Sequence, residues 1–256
     1  MVGLAQQKEI RMKYGVQLYS LRDMVNEKGL EEAIKTVTLA GYQGVEFAGF
    51  YGYSPEQVKQ LLDKYGLVAI SAHISADFVA DFIDHIKILN IKKVYTAGIW
   101  GNGWDDDIYP ETVMKHKKAL DFLNENGVEF GYHNHSHEYG EGKDLVNKIT
   151  NDVKGMTIEL DLCWATYGGR NVVETMKEYQ CRLTSIHIKE LTEGDPHSPA
   201  PIVGKGIVDI KGAIEEANRQ GIEWGILEIE GFDMSEIEYL RKSLENIKKI
   251  EKGETL

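Results

Sequence analysis

The stretch Glu125-Asn-Gly-Val-Glu-Phe-Gly-Tyr-His-Asn-His-Ser-His-Glu138 contains the pattern that decides the fold. It joins an amphipathic segment to a short apolar run through Gly127, a residue suited to the left-handed conformation that ends a helix. Apolar and polar residues then alternate with a period of two, which is typical of a β-strand. The stretch therefore predicts a helix, a glycine and a strand, with polar side chains where the strand ends.

This joint of helix, glycine and strand recurs along the chain. Its further copies centre on Gly41, Gly66, Gly155 and Gly221. Eight strands are predicted, each followed by a helical stretch, at 14–19, 43–48, 67–73, 91–97, 128–134, 156–161, 183–188 and 223–228. Strands that alternate with helices predict a parallel α/β sheet, and eight such units without a Gly/Pro-rich linker favour a single (β/α)8 TIM barrel. We expect its active site at the C-terminal face, where the strands end.

An open, doubly wound sheet is the alternative arrangement, and it would normally carry a nucleotide-binding motif. The first strand-to-helix joint, Leu18–Asp23, has no glycine, and Gly98–Gly103 lacks the GxGxxG spacing. Neither GxxxxGK[ST] nor GxSxG occurs. The length of 256 residues also suits one barrel, which averages about 250. We therefore predict one domain over 1–256, with 1–12 as an N-terminal extension.

The acidic balance of the chain limits its partners. The formal net charge is −12 and the pI is near 5.2, so the field of the protein repels phosphate backbones and no nucleic-acid partner is expected. No apolar run reaches the roughly 20 residues that span a bilayer, and the N-terminus lacks a signal-peptide pattern, so no membrane partner is expected. A homo-oligomer is compatible with the sequence.

Cysteine usage predicts a reducing compartment. Cys163 and Cys181 are the only two cysteines, and they do not form a CxxC pair. This pattern argues against a disulfide framework and against a cysteine-rich zinc site. Cys163 is predicted to be a small packing residue. We expect a cytoplasmic protein.

Carboxylates and imidazoles occur where strand after strand is predicted to end. These residues are Glu46, His73, His133, His135, Glu138, Glu159, Asp161, His187, Glu228 and Glu230. Such groups are costly to bury unless they are paired or bound to a metal. Carboxylates combined with imidazole suit a hard or borderline divalent ion, so Mn²⁺, Mg²⁺ or Co²⁺ is expected, with Zn²⁺ also compatible.

Some of these polar residues also have a structural interpretation. Glu159 and Glu230 are interpreted as paired surface or inter-strand carboxylates, while Glu46 is left open between a site residue and a structural ion pair. His116 lies in a helical stretch and is predicted to be solvated. The proline-containing loop 191–206 is predicted to be a substrate lid, with an uncommitted surface excursion as the alternative.

The sequence resembles the xylose isomerase-like TIM barrels, a family of sugar phosphate isomerases and epimerases whose relatives include D-tagatose 3-epimerase, inosose dehydratase and endonuclease IV. The resemblance covers nearly the whole chain. It is carried by the segments Tyr14–Arg22, Gly44–Gly49, Ser71–His73, Gly131–Glu138, Leu160–Trp164, Ile186–Glu190, Val203–Asp209 and Leu227–Glu228. Together these segments indicate the family and do not indicate one reaction.

The resemblance implies one divalent metal ion, with Mn²⁺ preferred. The ligand set that it implies is Glu138, Asp161, His187 and Glu228. The fifth strand departs from the epimerase pattern, because Tyr132 or His133 stands where the epimerases have a metal-binding glutamate. Either Glu138 folds back to the metal, or a histidine replaces that ligand. The epimerases use this glutamate with the one on the eighth strand as opposed acid/base groups, so the departure bears on the reaction.

The resemblance favours a metal-dependent sugar isomerase or epimerase. Such an enzyme abstracts a proton next to the carbonyl of a small-molecule sugar or keto-sugar, through a metal-stabilised enediolate. The catalytic candidates are His133, His135, Glu138 and Glu228. The substrate-binding candidates are Gln17, Arg22, Glu46, His73 and Lys189. A metal-dependent lyase, such as a keto-inositol dehydratase or a 3-keto-glycoside eliminase, is the alternative, followed by a non-catalytic sugar-binding barrel.

Overall fold

The computed structural model describes residues 12–140, 142–192, 194, 196 and 199–256. Eight of its strands run parallel and close into a barrel, which confirms the predicted (β/α)8 fold. In spatial order the closed barrel runs β1 (Lys13–Gln17), β10 (Trp224–Leu227), β9 (Leu183–Ile188), β8 (Thr157–Asp161), β5 (Glu129–His133), β4 (Lys93–Ala97), β3 (Val68–His73) and β2 (Gly44–Ala48). The remaining strands, β6 (Tyr139–Gly140) and β7 (Lys143–Asp144), form a short antiparallel hairpin after β5.

Helices follow the barrel strands as the repeat predicts. They are α1 (Arg22–Lys28), α2 (Leu30–Ala40), α3 (Pro55–Tyr65), α4 (Ile83–Ile88), α5 (Tyr109–Glu125), α6 (Leu145–Asp152), α7 (Leu162–Tyr167), α8 (Val172–Glu178), α9 (Ile210–Gln220) and α10 (Glu236–Glu251). Within the described residues, no helix has both the length and the apolar character needed to cross a membrane. The predicted extension, 1–12, falls outside the described residues except for Met12, so the domain boundaries stay a prediction.

The glycines at the helix-to-strand joints have the backbone conformation that the sequence predicts. Gly41, Gly66, Gly127, Gly155 and Gly221 all have φ between 71° and 98°, a region that side chains with a Cβ rarely occupy. Each glycine lets the chain leave a helix and enter the following strand within a few residues.

The first strand is shorter than predicted because its end is turned by a side chain. The Oε1 of Gln17 accepts the backbone N–H of Tyr19 at 3.1 Å, and Leu18–Leu21 forms a 3-10 turn in place of two more strand residues. A second difference concerns His116, which is buried on α5 and packs near Phe130. The prediction that His116 is solvated is wrong, because the ring lies on the face of α5 that covers β5.

Alternation along the strands separates a packing face from an interior face. Val45 and Phe47 of β2 belong to the apolar core, while Glu46 between them contacts groups on other strands across the interior. Near the N-terminal ends of the strands, Ile70 and Trp224 help to fill the interior. Polar groups occupy the interior toward the C-terminal ends. The N-terminal half of the barrel interior is therefore filled by packed apolar side chains, and the C-terminal half can hold a functional site.

Candidate active site

Four side chains from four strand ends converge above the barrel interior. They are His133 at the end of β5, Asp161 at the end of β8, His187 on β9 and Glu228 directly after β10. One potential ligand atom from each lies within 4.8 Å of the others, and all four side chains are buried. Bonds of about 2.0–2.3 Å on either side of an ion span a similar distance. The arrangement therefore has the dimensions of a mononuclear metal site.

The free atoms of this group fit a metal ion. Asp161 Oδ2, His133 Nδ1 and His187 Nδ1 are buried and make no hydrogen bond of good geometry among the described residues, although His133 Nδ1 lies 3.3 Å from Glu159 Oε2. His187 Nδ1 nevertheless lies 2.8 Å from a Glu228 carboxylate oxygen and 3.9 Å from Asp161 Oδ2. Buried polar atoms without partners are costly, and a cation shared by them would remove that cost. Two imidazoles and two carboxylates suit a borderline divalent ion.

His187 is oriented from behind by Glu46. The Nε2 of His187 lies 2.7 Å from Glu46 Oε1 and 3.1 Å from Glu159 Oε2. Because ionised carboxylates only accept hydrogen bonds, Nε2 carries a proton and the opposite nitrogen faces Asp161 and Glu228. Gln17 donates to Glu46 at 2.7 Å, and the hydroxyl of Ser71 donates to its other oxygen. Glu46 is therefore a fixed support for His187.

A deeper group of charged residues lies beneath the four converging side chains. Glu159 is fully buried, and its Oε2 lies 2.7 Å from His73 Nε2, 3.1 Å from His187 Nε2 and 3.3 Å from His133 Nδ1. Glu159 is paired between strands, as one of the two interpretations has it, but it lies in the barrel interior and not at the surface, two residues before Asp161. These four residues also have the spacing of a metal group, but the carboxylate already makes hydrogen-bond contacts with the imidazoles.

The electrostatics of the interior follow from the pairing of these groups. Burial raises the pKa of Glu159, but His187 and the hydrogen bonds from the imidazoles outweigh burial and hold that pKa well below its usual range. Burial lowers the pKa of His187, and Glu159 and Glu46 raise it well above 6.5. Burial lowers the pKa of His73, and Glu46 and Glu159 raise it to about 10. In the metal-free protein these pairs favour the charged forms of His73, His187 and Glu159, and a metal ion bound at His187 Nδ1 would displace the proton from that nitrogen.

Asp161 is aligned by its local structure. Its Oδ1 caps α7 by accepting the N–H of Trp164 at 2.7 Å, which leaves Oδ2 directed at the group. Asn134 accepts the backbone N–H of Asp161 at 2.9 Å. Burial raises the pKa of Asp161 despite the opposing charge of Lys189. The aspartate thus has one oxygen committed to the fold and one available to a ligand.

Glu138 lies outside this group, contrary to the ligand set that the resemblance implies. Its Oε1 accepts from the Tyr132 hydroxyl at 2.6 Å, and its Oε2 accepts the backbone N–H of His135 at 2.8 Å. His137 Nε2 lies 3.1 Å from the same carboxylate. Both oxygens are engaged in shaping the turn after β5, and His133 occupies the fifth-strand position of the metal group instead.

A cavity of about 580 Å³ opens directly above the metal group. His133 and Glu228 reach its floor, and Trp100 and Trp164 line it. His135 also lines it, and burial followed by the neighbouring His133 lowers the pKa of His135 to about 2. The His135 ring is therefore neutral at neutral pH. The cavity combines metal-ligand side chains, a neutral imidazole and aromatic surfaces, as expected for a small-molecule site.

The predicted substrate-binding residues separate into two sets. Gln17 and His73 line the cavity, as does Glu228 among the catalytic candidates. Glu46 lies beneath the cavity, against His187. The described lining contains neither Lys189, which is fully buried, nor Arg22.

A second cavity of about 650 Å³ lies beside the loop between β4 and α5 and shares Trp100 with the first. Its charged residues include Asp77 and Lys115, which pair at 3.0 Å. None of the residues that line it belongs to either metal group found among the described residues. We therefore place the candidate active site in the first cavity.

The loop predicted to be a lid is held at both ends by hydrogen bonds to one carboxylate. The carboxylate of Glu190 accepts the N–H groups of Leu191 at 3.1 Å, Gly204 at 2.9 Å and Val208 at 3.0 Å. Four residues of the loop 191–206, at positions 193, 195, 197 and 198, lie outside the described residues. Its role as a lid stays a prediction.

The sequence analysis assigns no site role to two residues that contribute to the site, Glu159 and Trp100. Glu159 could have been found by period-two alternation, which places it on the same strand face as Asp161. Trp100 follows β4 in a glycine-containing segment and carries a 60% exposed ring at the mouth of the cavity. A large aromatic residue in a loop at the C-terminal face is the signal that points to it.

Several known proteins are similar to this chain in sequence or in fold. The profile of a family described as "Xylose isomerase-like TIM barrel" matches residues 34–250. An inosose dehydratase from Lacticaseibacillus casei is 24% identical and is aligned over 81% of this chain and 84% of its own. A sugar phosphate isomerase/epimerase from Parabacteroides distasonis superposes with a TM-score of 0.77 and 19% identity, covering 93% of this chain and 98% of its own. A D-allulose 3-epimerase from Methylomonas sp., solved in complex with D-allulose, has a TM-score of 0.72 and 16% identity, covering 93% and 97%.

Because the similar proteins are enzymes, the prediction of an enzyme is confirmed. The two structural neighbours share less than a quarter of their residues with this chain, so they support the fold.

Proposed function

Because the chain belongs to the xylose isomerase-like TIM barrel family, we propose that it is a divalent-metal-dependent lyase that removes a hydroxyl or alkoxyl group from a keto-sugar. The reaction begins with proton abstraction from the carbon next to the carbonyl. It ends with loss of the substituent on the following carbon, which leaves an unsaturated product. The similarity to inosose dehydratases supports this choice.

The observation that carries the proposal is the composition of the site at the end of β5. The resemblance implies that epimerases have a glutamate there. That glutamate is opposed to one on the eighth strand of the barrel, which is β10 in this chain. In this chain both oxygens of Glu138 are engaged by Tyr132 and His135, and His133 takes the position in the metal group. Glu228 is therefore without an opposed carboxylate on the fifth strand. One proton-transferring group suffices for an elimination, whereas inversion of a centre needs a donor on each face.

The proposed ligands are His133, Asp161, His187 and Glu228, with Mn²⁺ our first choice among the borderline and hard divalent ions. When bound, the ion supplies Lewis-acid stabilisation of the negative charge that develops on the carbonyl oxygen. His135 lines the cavity and its Nδ1 has no hydrogen-bond partner among the described residues, so its ring is our candidate general base. It takes the proton from carbon, and the imidazolium then protonates the departing oxygen, which leaves as water or an alcohol.

An isomerase or epimerase is the second candidate. The solved neighbours that are named for epimerisation, and the carboxylate of Glu228 at the cavity floor, favour it. In that reaction the proton returns to carbon, with Glu228 and His135 as the acid/base candidates that line the cavity. The two candidates share proton abstraction and differ only in where the proton is delivered.

The purified, metal-analysed protein can be incubated with ketoses, keto-inositols and 3-keto-glycosides in D₂O, with products followed by NMR and mass spectrometry. An unsaturated or dehydrated product supports the lyase. Deuterium next to the carbonyl in an intact skeleton supports the epimerase or isomerase. If no member of the panel exchanges or reacts, the enzyme proposal fails and a sugar-binding barrel remains.

The His135→Ala variant provides the residue-level control for that experiment. Loss of a general base typically lowers the rate by about 10²–10⁴-fold. Metal content should stay at the wild-type level, because His135 is outside the metal groups found among the described residues. Exchange at the wild-type rate in this variant would remove His135 from the mechanism.

A further inference from the structure

The cavity above the metal group is acidic and has no lysine or arginine in its described lining. Glu228 and Glu230 line it on the side of β10. Proteins bind phosphate groups with lysine, arginine, a metal ion or the N-terminus of a helix. A phosphate ester placed in this cavity would meet fixed negative charge.

The lysine and the arginine beside the cavity wall, Lys189 and Arg22, are already engaged. Lys189 is fully buried, with its ammonium 2.6 Å from a Glu230 oxygen and 3.6 Å from Glu228. It also lies 4.3 Å from the ring centre of Trp164. The guanidinium of Arg22 donates to the backbone carbonyls of Tyr19 at 2.9 Å and Glu230 at 2.8 Å. Neither cation is presented to a ligand in the cavity.

The helix after the last barrel strand does not offer a phosphate site either. In barrels that bind phosphate, the loops after the last two strands and a nearby helix N-terminus often supply one. Here the first turn of α10 contains Glu236 and Glu238. Their charges oppose an anion at the positive end of the helix.

A metal ion in the proposed site would not give the cavity a net positive charge. The charge of a divalent ion is matched by the carboxylates of Asp161 and Glu228 within the proposed ligand set. The imidazole of His73 at the cavity wall is matched by Glu46 and Glu159, at 3.2 and 2.7 Å. No surplus of positive charge is left for a phosphate dianion.

The cavity does offer surfaces and hydrogen-bonding groups that suit a neutral ring. The exposed fraction is 60% for Trp100 and 42% for Tyr19, and both line the cavity. Aromatic faces of this kind pack well against the apolar face of a sugar ring, and nearby carboxylates accept hydrogen bonds from hydroxyls. From these observations we infer that the substrate is an unphosphorylated keto-sugar or keto-cyclitol, and that the cavity rejects sugar phosphates. The inference rests on the proposed function and narrows its substrate class.

Calorimetric titration of the metal-loaded protein tests the inference directly. The probes are a panel of free ketoses and keto-cyclitols, their phosphate esters, and inorganic phosphate. At least one free compound should bind, and its phosphate ester should bind about 100-fold more weakly or not at all, because like charges placed together cost several kcal/mol. Tighter binding of an ester than of its free parent overturns the inference, as does the absence of binding by every free compound.

The Glu230→Gln variant tests the electrostatic cause. It removes one negative charge from the wall and weakens the hold on Lys189, so the affinity ratio of ester to free compound should rise by at least about threefold. A general loss of structure would weaken both ligands alike and leave the ratio unchanged. The matched control is Glu129→Gln. It makes the same change at an exposed residue at the start of β5, at the end of the barrel opposite to the cavity. An unchanged ratio in Glu230→Gln counts against the inference.

Turnover separates this inference from the proposed function. If phosphate esters react faster than free compounds, the enzyme proposal stands and the substrate inference fails. If free compounds bind but none reacts or exchanges deuterium, the enzyme proposal fails and the substrate inference stands.

Discussion

His187 divides its two ring nitrogens between the fold and the metal group. Its Nε2 is held by Glu46 at 2.7 Å, while its Nδ1 lies 2.8 Å from Glu228. A carboxylate behind a ligating histidine fixes the tautomer and the ring orientation and raises the basicity of the ligating nitrogen. The sequence leaves Glu46 open between a substrate-binding residue and a structural ion pair, and the structure places it against His187.

The proposed ligands can be tested by removing them one at a time. We expect Asp161→Ala and His187→Ala to lose bound metal, because each removes one of four donors from a buried group. Metal content is measured by inductively coupled plasma mass spectrometry, and folding by circular dichroism. The control is Asp121→Ala, the same change on the exposed face of α5. Full metal occupancy in either ligand variant would show that the ligand set is wrong.

The support of His187 by Glu46 predicts a graded effect on metal affinity. Glu46→Ala should weaken metal binding by about 10–100-fold, the usual effect of losing such a partner. Glu46→Gln should recover part of the loss, because its amide oxygen still accepts a hydrogen bond but carries no charge. Titration of the metal-free protein with Mn²⁺ measures both. Wild-type affinity in Glu46→Ala would exclude the positioning role.

The turn after β5 is held together by a buried carboxylate. Glu138 accepts from Tyr132 within the strand and from the backbone of His135 in the turn, so it connects the two. This connection places His135 at the cavity wall, two residues beyond His133. At the scale of the element, Glu138 shapes the site without reaching the metal group.

Glu138→Gln should therefore cost stability and leave metal binding intact. A weakened hydrogen bond to a buried carboxylate costs about 1–3 kcal/mol of unfolding free energy. Urea unfolding of the metal-free protein measures that cost, and metal analysis measures the second expectation. Glu129→Gln on the exposed start of the same strand is the control and should unfold as wild type does. Loss of metal at unchanged stability would restore Glu138 to the ligand set.

At the scale of the whole molecule, the metal group connects distant parts of the chain. Its members come from β5, β8, β9 and the residue after β10, and each lies 26 to 41 positions along the chain from the next. An ion that binds only the folded protein stabilises it by mass action. The barrel must be closed before the four donors can meet, so metal binding and closure are coupled.

Metal removal should therefore lower the thermal midpoint. At a metal concentration about 100 times the dissociation constant, the folded state gains about 2.7 kcal/mol. Differential scanning calorimetry with added Mn²⁺, and after chelation and dialysis, measures the difference. Asp161→Ala should show no such difference. Equal midpoints for the wild-type protein in both conditions would contradict a specific metal site.

Much of the molecule is determined locally and can be predicted from sequence. The glycine joints fix where helices end, because their left-handed backbone conformation is a property of the residue itself. Period-two and helical patterns fix the eight barrel strands to within a few residues. The meeting of Asp161, His187 and Glu228 also follows from sequence, since strands of a closed parallel barrel all end at one face.

Tertiary structure alone decides which polar groups face each other across the barrel. Nothing local distinguishes Glu46 as a support, Glu159 as a buried partner of three imidazoles, or Glu138 as a structural carboxylate. Their roles depend on register between strands and on distances of about 3 Å between residues far apart in the chain. Hydrogen bonds and ion pairs act over such short distances that a pattern along the chain cannot specify them.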